Sequence, residues 1–140
     1  MPMKASVKLL ENVSFEAVAD SGHPVIMDGP PEFGGKGKGS RPMEMILMGL
    51  GGCTAFDVVH ILRKGRQNID GCEAVLTAER ADTPPKVFTR IHVHFIVSGE
   101  NLSHDKVARA INLSAEKYCS ASIMLSKAVE ISHDFEIVDR

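Results

Sequence analysis

The pattern of apolar and polar residues predicts short strands and a flexible loop in the first part of the chain. Residues 3–10 and 13–19 are typical of strands, and residues 23–27 add a third, so that 1–28 form a small meander. Residues 29–41 follow with five glycines and two prolines. This composition favours a mobile loop without regular secondary structure.

A long helix is predicted from about 42 to 64. Ser40 as its N-cap and Pro42 in its first turn suit a helix start, and two basic residues followed by Gly65 suit its end. Only three clearly polar residues lie within 45–62. Such a helix must be covered on more than one side, which favours an intimate homodimer. A monomer that covers the helix itself remains an alternative, whereas a membrane span would need about 20 clean apolar residues.

The second half of the chain predicts strands at 72–80 and 87–98, a helix near 104–118 capped by Ser103, and a last strand at 135–138. The fold class is therefore α+β. Alternation places four residues of the second of these strands on a core-facing side: Ile91, Val93, Phe95 and Val97.

Composition places the chain among single-domain proteins. Its 140 residues, with 44% hydrophobic content, are enough for one domain over 1–140 with a real core. The formal charge of −2 and the scattered positions of the basic residues predict no positively charged surface for nucleic acid. Three cysteines and a start that lacks a secretory pattern predict reduced thiols and a cytoplasmic location.

Two thiols are the main candidates for chemistry. Cys53 lies in the long apolar helix, and Cys119 lies where the second helix ends; they can be inert core residues or a pair that forms a disulfide. An ordinary thiol is only about 3% ionised at pH 7, so a nucleophile needs an activating group. Asp57 has the wrong charge for this, and His60 lies about 10.5 Å along the helix axis, out of reach. Residues 120–125 would give Cys119 thiolate character if they begin a helix at its sulfur.

The segments Ser40-Arg41-Pro42-Met43-Glu44-Met45, Gly51-Gly52-Cys53 and Lys117-Tyr118-Cys119-Ser120 resemble those of the OsmC/Ohr superfamily of osmotically inducible and organic-hydroperoxide-resistance proteins. The likeness covers essentially the whole chain. It implies an intertwined α+β homodimer, with antiparallel sheets packed around two long central helices and active sites at the interface.

The resemblance also implies an activity. Cys53 would be the peroxidatic thiolate that reduces an organic hydroperoxide, Cys119 would resolve it as a disulfide, and a dithiol such as a dihydrolipoyl group would reset the pair. No metal or cofactor is implied. The family's peroxidases have an arginine in the N-terminal strands and a glutamate directly after the proline; here the first arginine is Arg41 and the carboxylate is one residue later, at Glu44. These two residues are therefore the candidate activating groups, with a solvated Arg41 as the alternative.

Two other functions stay open for the same fold: a non-enzymatic dimer that binds an apolar small molecule, and a redox sensor without turnover. The residues that would line an apolar pocket, or else pack in the core, are Met45, Ile46, Met48, Leu50, Phe56, Ile123 and Met124. His92 and His94 share one strand face but lack a third zinc ligand at standard spacing, and Cys72 is predicted to be a structural thiol.

Overall fold

The computed structural model describes residues 2–139 and divides into two compact units. The first unit ends at Ile46 and the second begins at Leu47.

The first unit contains the predicted meander. Strands β1 (Ala5–Leu9), β2 (Ser14–Ala19) and β3 (Val25–Asp28) pair antiparallel in the order β1-β2-β3. The loop that follows contains one 3-10 turn, Pro31–Phe33. The three strands confirm the prediction, with bounds that differ by up to two residues at each end.

Asp28 anchors the glycine-rich loop, a contact that the sequence pattern did not predict. Its Oδ1 accepts a hydrogen bond from the backbone N–H of Gly29 at 2.8 Å, and its Oδ2 accepts from those of Lys36 at 2.9 Å and Lys38 at 3.1 Å. The backbone hydrogen bond from Lys36, followed by that from Lys38, lowers the pKa of the Asp28 carboxyl. The carboxylate therefore holds the middle of the loop to the end of β3.

Helix α1 runs over Pro42–Lys64, as predicted. Its N-cap is not Ser40, however, because Ser40 forms an isolated parallel bridge with Met27 and Arg41 directly precedes the first helical residue. The Glu44 Oε1 accepts a hydrogen bond from the Arg41 backbone N–H at 2.8 Å, which satisfies a donor at the helix start as in a capping box.

The second unit is built on a three-stranded sheet in the order β4-β5-β6. Strand β4 (Asn68–Arg80) pairs antiparallel with β5 (Phe88–Glu100), and β6 (Glu130–Asp139) pairs parallel with β5. The expectation of antiparallel sheets is therefore wrong for β6. Parallel neighbours need a crossover connection, and the helices between β5 and β6 supply it.

One face of this sheet forms the core. The four residues of β5 predicted to face inward are all buried: Ile91, Val93, Phe95 and Val97. This burial confirms the predicted alternation. Buried residues of α1 (Leu50, Val58, Leu62) belong to the same core. A methyl group at Gly51 would lie 2.7 Å from Leu76 Cδ1, so glycine lets α1 approach β4 closely.

The crossover has three parts. Helix α2 (His104–Leu113) begins at the predicted cap, where Ser103 accepts a hydrogen bond from the Lys106 backbone N–H. The predicted continuation to 118 is wrong as an α-helix, because Ser114–Tyr118 form a π turn. Helix α3 (Ser120–Leu125) follows, with Cys119 as its N-cap.

Helix α1 is also long and apolar enough, by length and composition alone, to cross a membrane, with a mean hydropathy of 1.7 in its most apolar window. Five of its residues are buried within the protein, among them Leu50, Val58 and Leu62. They belong to the core of the second unit, whereas most of the apolar window is half-buried or exposed in this chain, with 28% of it buried.

Candidate thiol site

The structure brings the two predicted thiols together. Cys53 is half-buried on α1, Cys119 is fully buried at the start of α3, and both are free. The Cys53 side chain lies close enough to Cys119 to raise the pKa of the Cys119 thiol. The two predicted thiols therefore lie near one another, and their pairing as a disulfide stays a prediction.

Burial is the strongest influence on Cys119. Its sulfur accepts a hydrogen bond from the Ser122 backbone N–H at 3.3 Å, as expected if α3 begins there. Burial nevertheless raises the pKa of the Cys119 thiol, the Cys53 side chain adds to that effect, and the hydrogen bonds from Ser122 only partly oppose them. The expectation that the helix start would give Cys119 thiolate character is therefore wrong in its net direction.

The two sulfurs differ in access. Cys53 retains some solvent exposure, whereas Cys119 has none in this chain. A substrate that approaches from solvent would therefore meet Cys53 before Cys119.

A pair of buried hydroxyl groups belongs to the segments that carry the thiols, and the sequence pattern did not predict that these two groups contact each other. Thr54 Oγ1 and Ser114 Oγ are 2.8 Å apart, and both residues are buried. Ser114 Oγ also lies 3.1 Å from Asp57 Oδ2. The signal available in the sequence was the polarity of Thr54 and Asp57 on an otherwise apolar helix, because buried polar groups require partners.

The other two predicted site residues, Arg41 and Glu44, belong to the first unit and form the start of α1. Both are exposed, and the Glu44 carboxylate receives the Arg41 backbone N–H. This contact gives Glu44 a capping role. Catalytic roles for Arg41 and Glu44 stay predictions.

The predicted apolar lining divides into two groups. Leu50 is a core residue, as its alternative interpretation expected. Phe56 and Met124, by contrast, are 69% and 66% exposed, and Phe56 stacks on His60 with ring centroids 6.0 Å apart. The remaining members are half-buried or exposed: Met45, Ile46, Met48 and Ile123.

Cys72 and the two strand histidines lie away from the thiol pair in sequence. Burial raises the pKa of the Cys72 thiol, in keeping with the predicted structural role. His92 Nε2 and His94 Nδ1 both contact Asp134 Oδ1, at 2.8 and 2.7 Å. Within residues 2–139, no group of three or more His, Cys, Asp or Glu side chains is arranged to hold a metal ion.

Comparison with known proteins identifies the family. The profile of OsmC-like proteins matches residues 35–134. The chain belongs to the OsmC family. This OsmC-family protein is 51% identical to Protein YhfA of Escherichia coli K12 over 136 residues, which covers 97% of this chain and 98% of YhfA.

Solved structures agree on the fold of this OsmC-family protein. A hypothetical protein from Aquifex aeolicus has a TM-score of 0.88 at 25% identity, with 100% of this chain and 98% of that chain covered. The organic hydroperoxide resistance protein OhrB of Bacillus subtilis has a TM-score of 0.64 at 17% identity, with 97% and 98% covered. The predicted OsmC-like α+β fold is thereby confirmed.

Proposed function

We propose that this OsmC-family protein is a thiol-dependent peroxidase that reduces organic hydroperoxides through Cys53 and Cys119. The observation that carries the proposal is the proximity of a partly accessible thiol on α1 to a buried thiol at the start of α3. The structural likeness to a protein named for organic hydroperoxide resistance supports it at the level of the fold.

The chemistry proceeds in three steps. The Cys53 thiol releases its proton, and the thiolate attacks the terminal peroxide oxygen. The O–O bond breaks, Cys53 becomes a sulfenic acid, and the alkoxide takes up the released proton and leaves as the alcohol. Cys119, as its thiolate, then attacks the Cys53 sulfur, and water leaves as the disulfide forms. A dithiol of the dihydrolipoyl class returns two electrons and two protons and is itself oxidised to a disulfide.

The division of roles follows from access. A hydroperoxide can reach the half-buried Cys53, whereas oxidants in solvent do not reach the buried Cys119 directly. Cys119 is therefore the resolving thiol, held beside its target.

The test is a peroxidase assay with disulfide mapping. Purified protein is mixed with cumene hydroperoxide, disulfides are mapped by mass spectrometry, and turnover is measured with dihydrolipoamide. The proposal expects a Cys53–Cys119 disulfide, turnover that C53S abolishes, and a persistent sulfenic acid in C119S. C72S is the matched control and should remain active. Unchanged thiols in the wild-type protein would refute the proposal.

The burial of Cys119 favours a second function, a redox sensor without turnover. A disulfide with one fully buried sulfur is poorly accessible to a dithiol reductant, so it would form once and persist. In the same assay, a disulfide that forms once but is not recycled by the dithiol would support the sensor. The apolar-ligand binder would instead leave both thiols unchanged by the hydroperoxide.

We further propose that the protein acts as a homodimer in the cytoplasm. The exposed side of α1 in the second unit carries Met48 and Phe56 together with two glycines, and large exposed apolar side chains favour a protein interface. A cytoplasmic location suits reduced thiols, all three of which are free. Sedimentation equilibrium tests the assembly, and a single monomeric species would exclude it.

A further inference from the structure

Two buried hydroxyl groups connect the helix of Cys53 to the segment that carries Cys119. Thr54 follows Cys53 directly on α1, and Ser114 is the first residue of the π turn that leads to Cys119. Their side-chain oxygens are 2.8 Å apart, and each residue is at most 3% exposed. The contact joins residues 60 positions apart in the chain.

The direction of these hydrogen bonds follows from the donors available. Ser114 has one hydroxyl proton, and two oxygens can accept it: Asp57 Oδ2 at 3.1 Å and the Thr54 carbonyl oxygen at 3.4 Å. Because Ser114 donates to one of these two, Thr54 Oγ1 donates to Ser114 Oγ. Within residues 2–139, no fully buried side-chain nitrogen or oxygen lacks a hydrogen-bond partner. A satisfied buried network of this kind fixes its members in one arrangement.

The network reaches Cys119 through the backbone. The Cys119 N–H donates to the Ser114 carbonyl oxygen at 2.8 Å, five residues back, which is the spacing of a π turn rather than an α-helix. The π turn changes the angular position at which the chain leaves α2. Fixing Ser114 on α1 therefore fixes where the Cys119 sulfur lies relative to Cys53.

We infer that Thr54, Ser114 and Asp57 are positioning residues that hold the Cys119 sulfur against that of Cys53 and so set how readily the two form a disulfide. The inference rests on the redox pairing in the proposed function and extends it to three residues that touch neither the peroxide nor the reacting sulfur atoms. A buried hydroxyl pair without this role would affect stability alone.

Disulfide exchange with glutathione measures the positioning directly, without a peroxide. The Cys53 thiolate attacks oxidised glutathione and releases one glutathione thiolate, and the Cys119 thiolate then displaces the second. Two electrons pass from the protein to glutathione, and the two protein protons go to the released thiolates. The equilibrium constant of this exchange reports how well the protein holds its two sulfurs together.

Two substitutions at Thr54 separate hydrogen bonding from packing. T54V keeps the shape of the side chain but removes the hydroxyl, and T54S keeps the hydroxyl but removes a methyl group. Loss of one hydrogen bond is expected to lower the equilibrium constant in T54V by about fivefold, whereas T54S stays close to the wild type. S114A should fall at least as far as T54V. S126A, at an exposed hydroxyl near the end of α3, is the control and should not change.

The ranking of the two Thr54 variants decides the inference. An equilibrium constant lower in T54V than in T54S supports positioning, and melting temperatures of the reduced variants show whether stability follows the same order. Equal constants, or a lower constant in T54S, would overturn the inference, because packing would then be the only role of the residue. If the wild-type protein exchanges with glutathione but does not turn over a hydroperoxide, the peroxidase proposal fails separately. If S114A does not fold, the Thr54 pair still gives the answer.

Discussion

The exposed side of α1 gives a direct test of the proposed homodimer, because one substitution there has opposite effects in a monomer and in a dimer. Gly49 and Gly52 are exposed, and a methyl group added at either would meet nothing within 4 Å of it in this chain. Alanine is about 1 kcal/mol more favourable than glycine inside a helix. In a monomer, Gly52→Ala should therefore raise the free energy of unfolding by about that amount.

In the proposed dimer, the same methyl group lies where the two chains meet. Met48, Gly49, Gly52 and Phe56 fall within roughly 100° of one another around the helix axis, so they form a single face. Adding a methyl group to a packed interface costs about 1–3 kcal/mol. We therefore expect Gly52→Ala to weaken dimerisation by a factor of about 5 to more than 100.

Sedimentation equilibrium and thermal unfolding at two protein concentrations measure the effect. Gly65→Ala is the control, because Gly65 directly follows the last residue of α1, far along the axis from Gly52, and its methyl group would make only ordinary contacts, at 3.5 and 3.6 Å. The control should leave the dissociation constant unchanged. A Gly52→Ala variant that is about 1 kcal/mol more stable, with no dependence on concentration, would refute the dimer through this face.

Three further predictions concern charge and protonation. Because the pKa of Cys119 is raised, the rate of disulfide formation after peroxide oxidation should increase as the pH rises above the ordinary range of thiol pKa values. Stopped-flow measurements with C72S protein can follow this rate, and a rate that does not change with pH would contradict the prediction. Asp134 raises the pKa of His94, and His94 lowers the pKa of Asp134. Their pairing should therefore stabilise the fold most between about pH 3.9 and 6.5, and this stabilisation should be lost in acid through the lowered Asp134 pKa and in base through the raised His94 pKa. D134N should remove this dependence from urea titrations, and an unchanged profile would exclude the pairing. D28N should speed amide hydrogen exchange at Lys36 and Lys38, whereas D20N, whose carboxylate accepts from the exposed Lys4 amide, should not.

The features that the sequence predicted well are those set by local patterns. Helix α1 has its predicted bounds because Pro42 and the basic residues before Gly65 mark both ends, and the buried side of β5 follows from simple alternation. The pairing of Cys53 and Cys119 was predicted from a family resemblance, since spacing alone left it open.

The features that the sequence did not predict depend on contacts between distant residues. The π turn at Ser114–Tyr118 preserves the apolar spacing of a helix, so periodicity could not distinguish it from an α-helix. The parallel pairing of β6 is decided by the crossover and not by the composition of the strand. The contact of Thr54 with Ser114 joins α1 to the π turn, and no local motif encodes it.

The position of Cys119 in the crossover gives oxidation a mechanical consequence. A disulfide between α1 and the start of α3 would enclose β4 and β5 in one covalent ring that spans nearly half of the chain. Closing a ring of that size restricts the unfolded chain and is worth about 4 kcal/mol. The heat resistance of the protein would then report its oxidation state, with the bridged form melting well above the dithiol form.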